Sequence, residues 1–92
     1  MTDTVTDNTD RQQFEMLLDG GLAFVAYRRT GDVLNLHHAE VPPALEGSGL
    51  GGRLVKAVLD EIRARGLKVV PGCSFVRAYM KGHPEYDDLR AG

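Results

Sequence analysis

The chain changes its hydrophobic period at one place, and that place is a loop of glycines. Glu46–Leu54, EGSGLGGRL, puts four glycines within six residues. Upstream, apolar and polar residues alternate, the period of a strand. Downstream, Leu50, Leu54, Val58 and Ile62 recur every four residues, with Val55 and Leu59 beside them: the stripe of an amphipathic helix. The middle of the sequence is therefore a strand, a glycine turn and a helix start. The first helical amides have no intrahelical acceptor, and the helix dipole favours negative charge there. Glycines clear side chains away, so an anion such as a phosphate can reach the backbone. A tight strand-to-helix turn is the alternative use of the same residues.

The flanking segments follow from this centre. Arg11–Leu18 reads as a strand, with a short helix as its rival. Asp19–Gly21, DGG, is a hairpin turn. Leu22–Arg29 is rich in strand formers and carries Phe24 and Val25 on opposite faces, so it is expected to be covered on both sides. Thr30–Asp32 turns again. In Val33–Val41 strict alternation places Leu34, Leu36, His38 and Glu40 on one face and Val33, Asn35, His37, Ala39 and Val41 on the other. Pro42 and Pro43 end this strand. The spacing predicts a helix from Gly49 to about Arg65, with Ser48 as a cap or hydroxyl donor and Gly66 as its stop. Arg53, Lys56, Asp60 and Arg63 form its wet face, and Glu61 pairs with Arg65. Leu67–Val70 is a short strand, Pro71–Cys73 breaks it, and Ser74–Lys81 is a last helix with Ser74 at its cap. The order is β-β-β-α-β-α, an α/β (α+β) fold. Its strands on either side of the long helix run parallel and the rest antiparallel.

With 92 residues there is room for one domain. Residues 11–92 are assigned to it. Met1–Asp10, MTDTVTDNTD, is polar and acidic, lacks a basic-then-apolar leader and reads as a disordered tail. A net charge of -2 with interspersed signs gives no nucleic-acid surface. No apolar run approaches the ~20 residues that span a bilayer. The single cysteine, Cys73, forms no internal disulfide and fits a reducing cytoplasm.

Two nucleotide motifs are weighed. A Walker A loop needs Gly-Lys-Ser/Thr, whereas Gly51 is followed by Gly52 and Arg53. Gly47, Gly49 and Gly52 satisfy G-x-G-x-x-G, but three antiparallel strands precede them and the chain is too short for a second Rossmann half.

EGSGLG resembles motif A of the GNAT acyltransferase superfamily, [Gln/Arg]-x-x-Gly-x-[Gly/Ala], with Gly49 and Gly51 in place and Glu46 at the Gln/Arg position. HHAEVPPALEGSGLGGRLV and KVVPGCSFVRAYMKGHPEY resemble two segments of its smallest members. The resemblance runs from about Phe14 to Leu89. It implies a minimal GNAT fold that binds acetyl-CoA (CoA) and transfers acetyl to an amine on a small molecule or protein. A non-catalytic CoA-binding module is the alternative. By this resemblance Gly47, Ser48, Gly49, Leu50, Gly51 and Gly52 would cradle the diphosphate, with Arg53 offsetting Glu46. The pantetheine arm would run between splayed strands, bonded to backbone near Ala39 and Val41.

Transfer to an amine needs a base, a stabilised oxyanion and an acid for the thiolate, or else a thiolate nucleophile. The resemblance implies His38 as base, Cys73 as nucleophile and Tyr79 as acid. Each has a plain alternative: a strand histidine, a small buried hydrophobe, and core packing with Phe75. Glu40 is a second candidate base. His37 is expected to be exposed or packed, His83 to sit by the last helix carbonyls, and Tyr86 to pack the C-terminus down. Monomer and homodimer are both compatible with so small a sheet, and no metal is implied.

Overall fold

The computed structural model describes residues 4–18, 20–47 and 49–91. Asp19 and Ser48, expected in a turn and at a cap, lie outside the described residues. Five strands form one sheet: β1 (Thr6–Asn8), β2 (Gln13–Leu18), β3 (Gly21–Thr30), β4 (Val33–Glu40) and β5 (Lys68–Val70). They lie side by side in chain order, β1 to β4 antiparallel and β5 parallel to β4. Helix α1 (Leu50–Ala64) crosses between β4 and β5, and α2 (Ser74–Gly82) follows. Short 3-10 segments at Pro43–Leu45 and Pro84–Leu89 complete the chain. This is the mixed fold expected from the sequence, and Gln13–Leu18 settles as strand rather than helix.

The core lies on one face of the sheet. Phe14, Met16, Val25, Tyr27, Leu34 and Leu36 are buried there with the α1 stripe Leu50, Leu54, Val55, Val58, Leu59 and Ile62. Val76 and Met80 of α2 join them. A fully buried aliphatic side chain contributes roughly 1.5–3 kcal/mol. A helical glycine costs about 1 kcal/mol relative to alanine. The buried stripe therefore outweighs the penalty of Gly51 and Gly52, and α1 tolerates two glycines in its first turn. At its far end Gly66 takes φ 71, and Leu67 N–H closes on Ile62 O at 3.1 Å, as expected for a glycine stop.

The structure departs from the sequence reading in four places. The opposite sheet face is open, so β3 is not covered on both sides: Leu17 is 83% exposed, and Phe24 leans on His38 at 5.9 Å between ring centres. The supposed tail contributes a strand, since Thr6–Asn8 pair with Gln13–Glu15. Its anchor is polar: the Asp7 carboxylate accepts from Tyr27 Oη (2.6 Å) and from Arg65 (2.9 Å), which also holds Glu61 (2.7 Å). In β4 the strict alternation fails. Ala26 opposes His38 but Tyr27 opposes Leu36, so His37 is an extra residue, a bulge. The bulge moves His38 and Glu40 off the face of Leu36 and turns Ala39 and Val41 toward the core. Finally, Ser74 is the first helical residue of α2, and extended Cys73 (φ -89, ψ 137) takes the cap position without a side-chain cap bond.

Candidate functional site

The site begins where two parallel strands part. The β4–β5 ladder ends at Asn35↔Val70. One more bond, Cys73 N–H to Leu36 O at 2.8 Å, joins the chain after β5 to β4. A Cβ on Gly72 would collide with Asn35 Oδ1, which fixes glycine at this step. Beyond Leu36, β4 continues through its bulge to Glu40 while β5 has stopped. Ala39 and Val41 then line a groove of about 450 Å³ that runs to the glycine loop.

The other wall is the loop itself. Leu45, Glu46, Gly47, Gly49, Gly51 and Gly52 line the same groove. Gly47 and Gly49 have φ 85 and 80, the left-handed region open to glycine, and a Cβ at either would meet nothing within 4 Å. The first intrahelical bond of α1 runs from Arg53 N–H to Gly49 O (3.3 Å). The amides of residues 49–52 therefore precede the helical ladder and sit at its positive end. Glycine φ values, open space and free amides coincide here, as an approaching diphosphate requires.

Phe75 completes the groove. It is 44% exposed and lies on the first turn of α1, where a Cβ on Gly51 would stand 2.6 Å from its Cζ. Sequence reasoning paired Phe75 with Tyr79 as core; the structure makes it a groove wall. No periodic signal marks it, because its partner is the absent side chain of a glycine on another helix. Behind Phe75 a second groove of about 610 Å³ runs between α1 and α2, lined by Arg53, Lys56, Ala78, Tyr79 and His83. Lys56 pairs with Asp60 at 2.8 Å; that bond holds its ammonium above the usual range. Tyr79 stacks on His83 (3.9 Å, 10°), and burial raises its hydroxyl pKa.

The candidate catalytic residues are dispersed. Cys73 stands at the strand fork, half-buried against the core and two residues before Phe75, with a free thiol. His38 lies on the open sheet face, 3.9 Å from Glu40. The sheet separates these two side chains, so they form no dyad. Tyr79 lines the second groove rather than the first. His83 Nδ1 meets Tyr79 O at 2.8 Å, the helix-end role expected of it, and buried Tyr86 donates to Asp60 at 2.7 Å. Among the described residues no cluster of His, Cys, Asp and Glu could hold a metal ion, and no helix is long and apolar enough to cross a membrane.

A parallel strand fork opening onto a glycine loop at a helix N-terminus is the geometry of an acyltransferase of the GNAT kind, and the comparisons agree. The sequence pattern of the GCN5-related N-acetyltransferase family matches residues 13–89. The chain belongs to that family. It is 34% identical over 83 residues to Protein NATD1 of Mus musculus, covering 87% of this chain and 76% of that protein. With Protein NATD1 of Homo sapiens it shares 35% over 77 residues, 80% of this chain and 68% of the other. The solution structure of a GCN5-like protein from Staphylococcus aureus superposes with a TM-score of 0.71 at 28% identity, covering 100% of this chain and 92% of that one.

Proposed function

We propose that the chain binds acetyl-CoA in the first groove and transfers its acetyl group to an amine. One observation carries the reading: a single groove joins the strand edge beyond Leu36 to Gly47, Gly49, Gly51 and Gly52 at the start of α1. When bound, acetyl-CoA supplies an activated thioester. The amides of Gly49 to Gly52 would hold its diphosphate, and the backbone at Ala39 and Val41 would align the pantetheine arm as an added strand. Glu46 at the rim opposes an anion, so those amides must outweigh one carboxylate, and affinity is expected to be modest. Cys73 is tied to the fork by its N–H bond to Leu36 O and stands two residues before Phe75 of the groove wall, which makes it the candidate nucleophile. A reducing, cytoplasmic setting would keep its thiol free.

A second reading is a module that binds CoA without turnover. The placement of His38 on the open face and Tyr79 in the second groove favours it, since neither lines the groove assigned to the thioester. Two assays on one sample separate the readings. Thermal shift with CoA, up to ~1 mM where binding registers as stabilisation, reports the ligand. Release of CoA from acetyl-CoA with a panel of amines reports turnover. Stabilisation with release supports the transferase, stabilisation without release supports the module, and neither signal removes both.

A further inference from the structure

We propose that the open face of the sheet docks a protein segment carrying a lysine or arginine among apolar residues. This surface lies on the side of the sheet away from the core and does not rest on the acetyl-CoA reading. Residues directly opposite each other on neighbouring strands share a face, so the register fixes what the surface offers. Leu17 stands opposite Leu22, and the next outward row reads Glu15, Phe24, Glu40 across β2, β3 and β4. Leu17 is 83% exposed and Leu22 39%, with half-buried Phe24 beside them. An exposed apolar cluster rimmed by polar residues marks a protein contact.

The rim decides the kind of partner. Glu15 and Glu40 flank Phe24, one on either side. Glu15 Oε2 accepts from Gln13 (2.6 Å) and Asn8 (3.1 Å), neutral amides that orient the carboxylate and leave its charge. Glu40 has His38 at 3.9 Å. Among the described residues neither carboxylate pairs with a lysine or an arginine. Along β3 the first cation on this face is Arg28, beyond Ala26 and the β4 bulge. An aromatic ring between two carboxylates attracts a cation through its quadrupole and through both charges. One exposed ion pair is worth little, but here both charges and the ring lie in one row, and Leu17 and Leu22 bury an apolar neighbour beside it. A second copy fits less well. Stacking the cluster on its own symmetry mate brings the acid rows of both copies together. An anionic lipid surface is repelled by the same carboxylates.

The probe is a short fluorescent peptide of alternating leucine and lysine, titrated with the full chain and compared with its leucine–glutamate counterpart. The chain is expected to bind the lysine peptide about tenfold tighter or more. Glu15→Gln and Glu40→Gln are each expected to weaken that binding about two- to fivefold, and Leu17→Ser about fivefold. Glu40 and Leu17 are exposed, so their variants read the contact without disturbing the core. Asp87→Asn removes the same charge from the exposed surface of the C-terminal segment and should leave affinity unchanged. Equal affinity for the two peptides, or binding of neither, overturns the inference. So does a loss in Asp87→Asn as large as that in Glu40→Gln, which would show attraction to net charge alone. Sedimentation of the chain without peptide gives the last outcome: a dimer abolished by Leu17→Ser assigns the face to a second copy and overturns the inference as well.

Discussion

At the scale of single residues, Gly51 and Gly52 look alike in sequence and differ in space. A methyl on Gly52 would meet Tyr79 Cε2 at an ordinary 3.7 Å, whereas one on Gly51 would be driven into Phe75. Alanine gains about 1 kcal/mol of helix propensity over glycine at an unhindered helical site. Gly52→Ala is therefore expected to raise Tm and, by narrowing the wall common to both grooves, to weaken CoA binding. Gly51→Ala is expected to lose that gain to displacement of the Phe75 ring. The doubly substituted chain with Phe75→Ala added should recover part of it. Thermal unfolding of the set checks this; a Gly51→Ala protein as stable as Gly52→Ala would contradict the contact. The glycines were legible in the sequence because their spacing is unusual before a helix. Phe75 was not, because an aromatic facing a missing side chain leaves no pattern along the chain.

At the scale of elements, α1 was legible to within a residue or two, since six buried positions at helical spacing leave no other solution. The β4 bulge was visible and passed over. Leu34, Leu36, Ala39 and Val41 are spaced two, three and two apart, and the three is where His37 is inserted. Reading strict alternation through it put His38 on the wrong face. β1 carried no such trace: its residues are polar, and it is held by Asp7 bridging Tyr27 and Arg65. Asp7→Ala leaves the Tyr27 hydroxyl without its acceptor and the Arg65 guanidinium with Glu61 but without Asp7. It is expected to cost about 1–3 kcal/mol, measured by urea denaturation. A loss within about 0.5 kcal/mol, the range of ordinary surface changes, would mean that β1 is an ornament to the sheet.

For the whole molecule, titration reports how the elements are tied together. Burial and the bond to Asp7 push the Tyr27 hydroxyl up to about 12, and burial with the bond to Asp60 pushes Tyr86 up as well. A raised folded pKa means that the stabilisation is fully present below the unfolded tyrosine value near 10. It is lost as pH rises toward the folded value. Alkaline unfolding is therefore expected to steepen between about pH 10 and 12, and Tyr27→Phe should make that fall shallower. Burial alone would raise the Asp60 carboxyl, but bonds from Lys56 and Tyr86 outweigh it and hold the group below its usual range. Its contribution is present above the unfolded aspartate value and fades as pH drops through the folded one. Asp60→Asn should flatten the acid limb of stability. Equal slopes for variant and wild type on either limb would remove the corresponding tie.

The account's central claim is that one groove, from the strand fork to the glycine loop, receives CoA. The most direct measurement is a titration of the ¹⁵N-labelled chain with CoA, following backbone amide resonances. The largest shifts are expected at Gly47, Gly49, Gly51 and Gly52 and at Ala39 and Val41, where amides line that groove. Phe75, which lines the same groove, should follow. An unperturbed glycine loop at ~1 mM CoA, far above the Kd of a micromolar ligand, would contradict the claim. So would shifts centred on Leu17, Leu22 and Phe24 of the open sheet face.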